Sequence, residues 1–373
     1  MIYLDNNAST RVDDRVLQTM LPYFTENYAN AGSAHIEGLS VSEAIANAAW
    51  QTANLIGANE EEIIFTSGAT EAINLGIKGL ANQDRKHIVT IVTEHKAVLN
   101  TCHFMESIGF EVTYLPVAAD GVLDINVLNE SISDKTLIVI TMLSNNETGV
   151  IQNIAAISEI AYAKNALFMC DATQAIGKIP VDVQKLNIDL LPLSAHKFYG
   201  PKGVGALYIS AKAKLKLAPQ LHGGNQQRKL RSGTLNVPGI IGLGKAAEIA
   251  VNELENDNNR ILKLRDKLEN GLLNFKGSFV NGNTKNRICN TANICFPGVN
   301  SETLILALRD ISVSNGSSCS AVTSEPSHVL KAMSLSDENA LSSIRFSLGR
   351  FTTESEIDEA IVRVLGLAEK LRF

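Results

Sequence analysis

Between residues 62 and 209 the chain alternates short apolar runs with segments of helical spacing, and few folds accept that order. The apolar runs lie at 62–66, 87–93, 111–116, 137–143, 166–170, 188–193 and 204–209, and the helical segments at 72–80, 96–108, 125–131 and 154–164. Such strands, each followed by an amphipathic helix, build a mainly parallel, doubly wound sheet covered on both faces. Before this region, 2–4 reads as a strand and 27–38 as an irregular Gly/Asn/Ser-rich stretch, while 12–24 and 39–56 read as helices, the second stopped by Gly57. After it, 210–237 looks irregular and 238–275 reads as one long helix. Strands at 277–280, 291–296 and 344–348 and helices at 302–309 and 354–371 give the last part an α+β character. The expected fold class is α/β, with a large doubly wound, mainly parallel sheet domain plus a smaller α+β domain. A chain of 373 residues exceeds one ordinary core, so two domains are expected: 13–250, and 1–12 together with 251–373.

Composition narrows the function classes. Hydrophobic residues at 45% and charged residues at 19% describe a globular chain, and no apolar run reaches membrane-spanning length. The first residues lack a basic segment followed by an apolar one, so a secretory signal is not expected and the cytoplasm is. A net charge of −6 without a long basic cluster disfavours direct nucleic-acid binding. Five cysteines with no C-x-x-C argue against a disulfide framework or a zinc site and for a reducing compartment. Cys102, Cys170, Cys289 and Cys295 sit among apolar neighbours and read as small buried hydrophobes.

Ligands of doubly wound sheets bind beyond the carboxyl ends of the strands. Polar residues fall at those places: Ser67-Gly68-Ala69-Thr70, Thr93-Glu94-His95, Asn145-Asn146-Glu147-Thr148-Gly149, Asp171-Ala172-Thr173-Gln174 and Ser194-Ala195-His196-Lys197. Any one of these reads as a solvated loop, but five at one sheet edge describe a crevice. A strand running through a glycine turn into a helix offers free N–H groups to a phosphate. The competing reading there is plain helix capping by Ser67 or Thr70. Lys197 ends an apolar run. Burial disfavours its ammonium and makes the amine a Schiff-base nucleophile. The competing reading is a surface lysine in a basic turn with Lys202. A nucleophilic lysine, a phosphate cradle and a strand-end carboxylate are the parts that pyridoxal phosphate requires. Asp171 then suits the ring nitrogen, with an ordinary helix-capping aspartate as the competing reading; Gln174 suits the ring hydroxyl and His95 the ring face, with a satisfied polar histidine as the competing reading.

The chain resembles the cysteine desulfurases, within the class-V aminotransferase group of fold-type I pyridoxal phosphate enzymes. The resemblance is carried by Tyr3-Leu4-Asp5-Asn6-Asn7-Ala8-Ser9-Thr10, Phe65-Thr66-Ser67-Gly68-Ala69-Thr70-Glu71, Arg231-Ser232-Gly233-Thr234 and Ile344-Arg345-Phe346-Ser347-Leu348-Gly349-Arg350, together with the other strand-end motifs above, in the family's order. It implies that Lys197 carries the cofactor and that Ala69, Thr70, Ser194 and His196 hold its phosphate. Thr234 is implied to reach the phosphate of a partner subunit, hence a homodimer. His95 would stack on the ring and relay a proton, Asp171 and Gln174 would hold the ring, Asn146 would lie beside ring and substrate, and Arg345 would clamp the substrate carboxylate. Cys319 lies in a run of small polar residues, 314–324, which reads as a mobile surface loop with a reactive thiol. The resemblance makes it the persulfide cysteine. The implied activity takes sulfur from L-cysteine, releases L-alanine and passes the sulfur to an acceptor protein, an iron–sulfur scaffold or a thio-modification protein. Cys319 would then be a transient ligand of the iron–sulfur cargo. A selenocysteine lyase or another class-V reaction is the alternative. Ser318-Cys319-Ser320-Ala321-Val322 and Asn225-Gln226-Gln227-Arg228 depart from the family's usual runs.

Overall fold

The computed structural model describes residues 1–315 and 325–372. Its strands are β1 (Ile2–Tyr3), β2 (Ile63–Thr66), β3 (His87–Ile91), β4 (Glu111–Leu115), β5 (Thr136–Met142), β6 (Leu167–Asp171), β7 (Leu190–Ser194), β8 (Gly205–Ile209), β9 (Phe279–Val280), β10 (Thr291–Cys295), β11 (Ile311–Ser312) and β12 (Ser343–Ser347). Seven form one sheet in the order β2-β8-β7-β6-β5-β3-β4. β8 runs opposite to the other six strands. It follows β7 without a crossover helix, which an antiparallel neighbour does not need.

The apolar runs are continuous because successive side chains enter two different cores. Val89, Val139, Phe168, Leu191 and Tyr208 pack on one face of the sheet. Ile88, Ile138, Leu167, Leu190 and Leu207 pack on the other. Each such side chain contributes about 1.5–3 kcal/mol on burial, so exchanging the faces is strongly disfavoured.

A third core gathers Ile2 and Leu4 with Leu264, Leu268, Ala292, Ile294, Ile344, Phe346, Ile357 and Val364. Here β12-β10-β9 form an antiparallel sheet and β1 pairs parallel with β11. The helix Val237–Leu272 serves both regions: Ile240 to Ala250 enter the first core, and Ile261 to Leu272 the third.

Several elements differ from the sequence reading. The helix expected at 12–24 is two, Asp14–Met20 and Pro22–Thr25, because Pro22 has no N–H to continue the first and suits the start of the second. The helix expected from residue 39 begins at Ile36 and ends at Gly57, whose φ of +67° closes it. The stretch read as irregular, 210–237, holds a short helix Ala211–Lys214 and a 3-10 turn Gln226–Lys229. Helices His328–Ala332 and Asp337–Leu341 were not foreseen, since five residues are too few to display a helical period. Cys102, Cys170 and Cys295 are buried as expected, but Cys289 is only partly buried and its thiol donates to Asn258 Oδ1 at 3.2 Å.

Candidate active site

A cavity of about 640 Å³ opens at the carboxyl edge of the large sheet, where the N-terminal segment and β12 close over it. Ala69, Thr70, His95, Asn146, Asp171, Gln174, Ser194, His196, Lys197 and Arg345 all line it, so the structure brings together ten of the residues singled out by sequence.

Lys197 ends the 3-10 turn Ala195–Lys197 directly after β7. Its Nζ donates to the carbonyls of Asn7 at 2.7 Å and Ala8 at 2.9 Å. Burial, with the nearby Arg345 guanidinium second, pulls the amine down to about 8, which leaves a usable nucleophile fraction near neutral pH. Beneath it lies a second lysine that sequence reading did not single out. Lys178 is buried, and its Nζ donates to the main-chain carbonyls of Gln174 at 2.9 Å and Lys197 at 3.3 Å. Burial and the Lys197 charge lower it to about 7. Its ammonium ties together the backbone of two residues that face the cavity.

Asp171 closes β6, and its Oδ1 accepts from Thr173 N at 3.0 Å. Gln174 Nε2 donates to Asn7 O at 2.9 Å, while its Oε1 is buried with no partner. His95 caps the helix Lys96–Ser107, with Nδ1 accepting from Ala97 N at 3.1 Å, which places the proton of the neutral ring on Nε2. Burial lowers the pKa of the ring and keeps it neutral.

The glycine turn behaves differently from the capping alternative. The helix Ala69–Lys78 starts from Gly68, at φ +153°, with no side-chain cap. Neither Ser67 nor Thr70 satisfies the first N–H groups, and these are left for a ligand. At φ +153° a residue with a side chain is strained at position 68, so the turn into the helix calls for glycine. His196 Nδ1 lies 3.3 Å from Ser9 Oγ, and burial with the Lys197 and Lys202 charges pulls the ring down to about 4.

Arg345 sits in mid-strand on β12. Its Nη2 donates to Asp5 Oδ1 at 2.7 Å and its Nη1 to Asn146 O at 3.0 Å, while Nε is buried without a partner. Asn7 Nδ2 also donates to Asn146 O, at 3.2 Å. Asp5, Asn7 and Ala8 thus support the site. In the sequence these residues fall in a polar run directly after a short strand, within the motif at 3–10 that carries part of the family resemblance.

Two carboxylates at the strand ends turn away from the cavity. Glu94 is fully buried and its Oε1 accepts from Met142 N at 2.5 Å, while burial and the Asp171 charge push its pKa well up, favouring the protonated form. Glu147, raised by burial to about 7, accepts from Ser327 Oγ at 2.5 Å. Thr234 lines a different cavity, beside Tyr23, Tyr28 and Gln226. Cys319 lies outside the described residues. Ser314 lines the main cavity and pairs with Arg345 through both backbone groups.

The residues present fit pyridoxal phosphate. They supply an uncapped helix start and a hydroxyl for the phosphate, a strand-end carboxylate for the ring nitrogen, a neutral imidazole for the ring face and an amine of lowered pKa. Gln174 Oε1 and Thr173 Oγ1 are buried polar atoms that still lack partners, as the lining of a polar ligand site would be. Among the described residues no group of three or more His, Cys, Asp or Glu side chains is placed to hold a metal ion.

Residues 2–360 match the family model "Aminotransferase class-V". The cysteine desulfurase IscS of Shewanella denitrificans is 48% identical, over all of this chain and 93% of that relative. The cysteine desulfurase IscS of Rickettsia prowazekii is 46% identical, over all of this chain and 92% of its own length. Among solved structures, a NifS-like protein superimposes with a TM-score of 0.93 at 40% identity, covering 99% of this chain and 100% of that one. SspA in complex with cysteine gives 0.83 at 37% identity, covering 95% and 100%. The chain belongs to the class-V aminotransferase family.

Proposed function

We propose that this member of the class-V aminotransferase family is a pyridoxal phosphate-dependent cysteine desulfurase, taking sulfur from L-cysteine, releasing L-alanine and carrying the sulfur as a persulfide on Cys319. The observation that carries this reading is Lys197, an amine with its pKa lowered to about 8, set in one cavity with Asp171, Arg345 and an uncapped helix start.

When bound, the cofactor supplies an aldehyde carbon for amine exchange and a protonated ring that takes up the electron pair from the substrate's α-carbon. Ala69, Thr70, Ser194 and His196 would hold its phosphate, Asp171 its ring nitrogen and Gln174 its ring hydroxyl, and His95 would stack on the ring. Arg345 receives the substrate carboxylate beside Asn146, where its unpartnered Nε adds a donor to a planar fork. Lys197 as a free amine would take the α-proton and return it as an ammonium. His95 holds a proton on Nε2 for exchange at the substrate sulfur. The Cys319 thiolate attacks that sulfur: the S–S bond forms, the Cβ–S bond breaks, and the electron pair left on carbon takes a proton to complete alanine. No outside oxidant is needed, since the electron pair of the broken Cβ–S bond stays on carbon, which is reduced to the methyl group of alanine as sulfur is oxidised to the persulfide level.

The sulfur then passes to an acceptor protein, an iron–sulfur scaffold or a thio-modification protein. The enzyme acts as a homodimer. Supporting this, Tyr28 and Ile36 are 76% and 81% exposed, with Phe24, Leu39 and Trp50 also open, and Thr234 shares a cavity with Tyr28. Thr234 accordingly serves the phosphate of the other protomer. The chain divides into residues 13–250 and residues 1–12 with 251–373, a reading supported by the separate apolar cores served by one long helix. No helix among the described residues is long and apolar enough to cross a membrane, and the cytoplasm is the compartment we assign.

The deciding experiment is Cys319→Ser. This variant keeps the cofactor's visible absorbance but produces no alanine from L-cysteine and a reductant. Normal alanine production would overturn the reading.

A further inference from the structure

Resting on the desulfurase reading, we propose that Ser327 and His328 are positioning residues for sulfur transfer. They form a two-point clip that ties the chain just downstream of the Cys319 segment to the strand-end motifs bearing His95 and Asn146.

Ser327 is buried, and its Oγ donates to Glu147 Oε2 at 2.5 Å. The same oxygen accepts from Val329 N at 3.2 Å and Leu330 N at 3.3 Å, so it also starts the helix His328–Ala332. Glu147 is itself held. Its N–H donates to Asn145 Oδ1 at 2.9 Å, and its carbonyl accepts from Asn293 Nδ2 at 3.2 Å. It directly follows Asn146, whose carbonyl receives Arg345. The second point is His328, whose Nε2 donates to Glu94 O at 3.1 Å. Glu94 is anchored through its carboxyl to Met142 N and directly precedes His95.

Apolar packing does not do this work by itself. The helix His328–Ala332 packs into a small separate cluster, Val329, Leu330, Met333 and Ala340, and not into the cores of the two sheets. Its tie to the cavity wall is polar and passes through two neighbouring residues. Upstream of the Cys319 segment the tie is Ser314, whose backbone pairs with Arg345 in both directions. The described chain is thus fastened on both sides of Cys319 to residues adjoining the reacting groups. Attack of one sulfur on another demands close alignment, and a displacement of about 1 Å can cost about 10²-fold in rate.

The test uses the holoenzyme and three variants: Ser327→Ala, Ser327→Thr and His328→Phe. In S327A and H328F, kcat for alanine formation falls about 10- to 100-fold, while KM for L-cysteine and the change of the visible band on adding cysteine stay as in the parent. S327T, which keeps the hydroxyl, restores kcat. Parent-like kcat in S327A and H328F overturns the proposal. So does a fall in kcat that comes with an equal change in KM and in the band, because the clip would then belong to cofactor or substrate binding. If S327A does not fold, H328F decides, since it keeps the Ser327 cap. Cys319→Ser measured alongside separates the two levels. Normal alanine production in C319S removes the desulfurase reading, whereas inactive C319S with parent-like S327A and H328F removes the clip alone.

Discussion

Both the seven-stranded and the three-stranded sheet bury every residue of their central strands, but they deliver polar groups to the cavity by different routes. In the large sheet both faces are apolar, so chemistry begins only where a strand ends: Asp171 closes β6, and Ser194 closes β7 just ahead of Lys197. In the small sheet one face is apolar and the other polar. Ala292, Ile294, Ile344 and Phe346 enter the core, while Asn293 and Arg345 donate to the carbonyls of Glu147 and Asn146, and Thr291 and Ser347 accept from Asn7. The pairs Asn293 with Arg345 and Thr291 with Ser347 are cross-strand neighbours, so this polar face is one surface. Asn7 is bound to it through Thr291 Oγ1 and Ser347 Oγ, both at 2.9 Å. A strand end places a reactive group at a mouth open to ligand. A strand face places a clamp whose direction is set by the whole sheet.

The largest effect is expected at the strand-end route. Lys197→Ala removes the covalent anchor, and activity falls on the order of 10⁴-fold or more, as for loss of a catalytic nucleophile. Borohydride treatment followed by mass spectrometry labels Lys197 in the parent and no residue of this variant. A label on another lysine of the parent would break the comparison at its root.

The strand-face route is expected to respond in binding. Arg345→Lys keeps the charge but loses the planar fork and leaves Asp5 and the Asn146 carbonyl poorly paired. KM for L-cysteine rises by about 2–4 kcal/mol, roughly 30- to 1000-fold, with a smaller change in kcat. Steady-state kinetics checks this, and a fall in kcat at unchanged KM would mean that Arg345 acts in the chemistry and not as a clamp.

The smallest effect is expected at the seam, where the Asn293 amide of the small sheet meets the Glu147 carbonyl of the large one. Burial raises the Glu147 carboxyl from 4.5 to about 7. The folded chain therefore keeps a proton that the unfolded chain releases, and this contribution to stability declines as pH rises from 4.5 to about 7. Glu147→Gln removes that slope, worth up to about 3.4 kcal/mol across the range, which thermal melts across this pH range measure. An unchanged slope would show that folding does not raise the pKa of this carboxyl.

The strand-end residues were legible because alternation locates strand ends and polar runs there have no core to join. Arg345 was placed by family resemblance alone, since one charged residue inside an apolar strand has no local period that explains it. Glu94 and His95 show the limit of the local signal. They are adjacent and both polar, yet one lines the cavity and the other is buried with its protonated form favoured. Lys178 was missed because its partners are main-chain carbonyls, which leave no trace in side-chain identity.

By itself the amino-acid order determined the alternation of strands and helices, the two-sided burial of the large sheet and the edge at which its polar residues gather. These follow from periods of a few residues and from the exclusion of apolar side chains from water. Only the tertiary structure decided which groups hold the reactive ones. The carbonyls that receive the Lys197 amine come from positions 190 and 189 residues away, and Asp5 reaches Arg345 across 340. Hydrogen bonds form between groups that packing brings within about 3 Å, and spacing along the chain does not specify partners so distant.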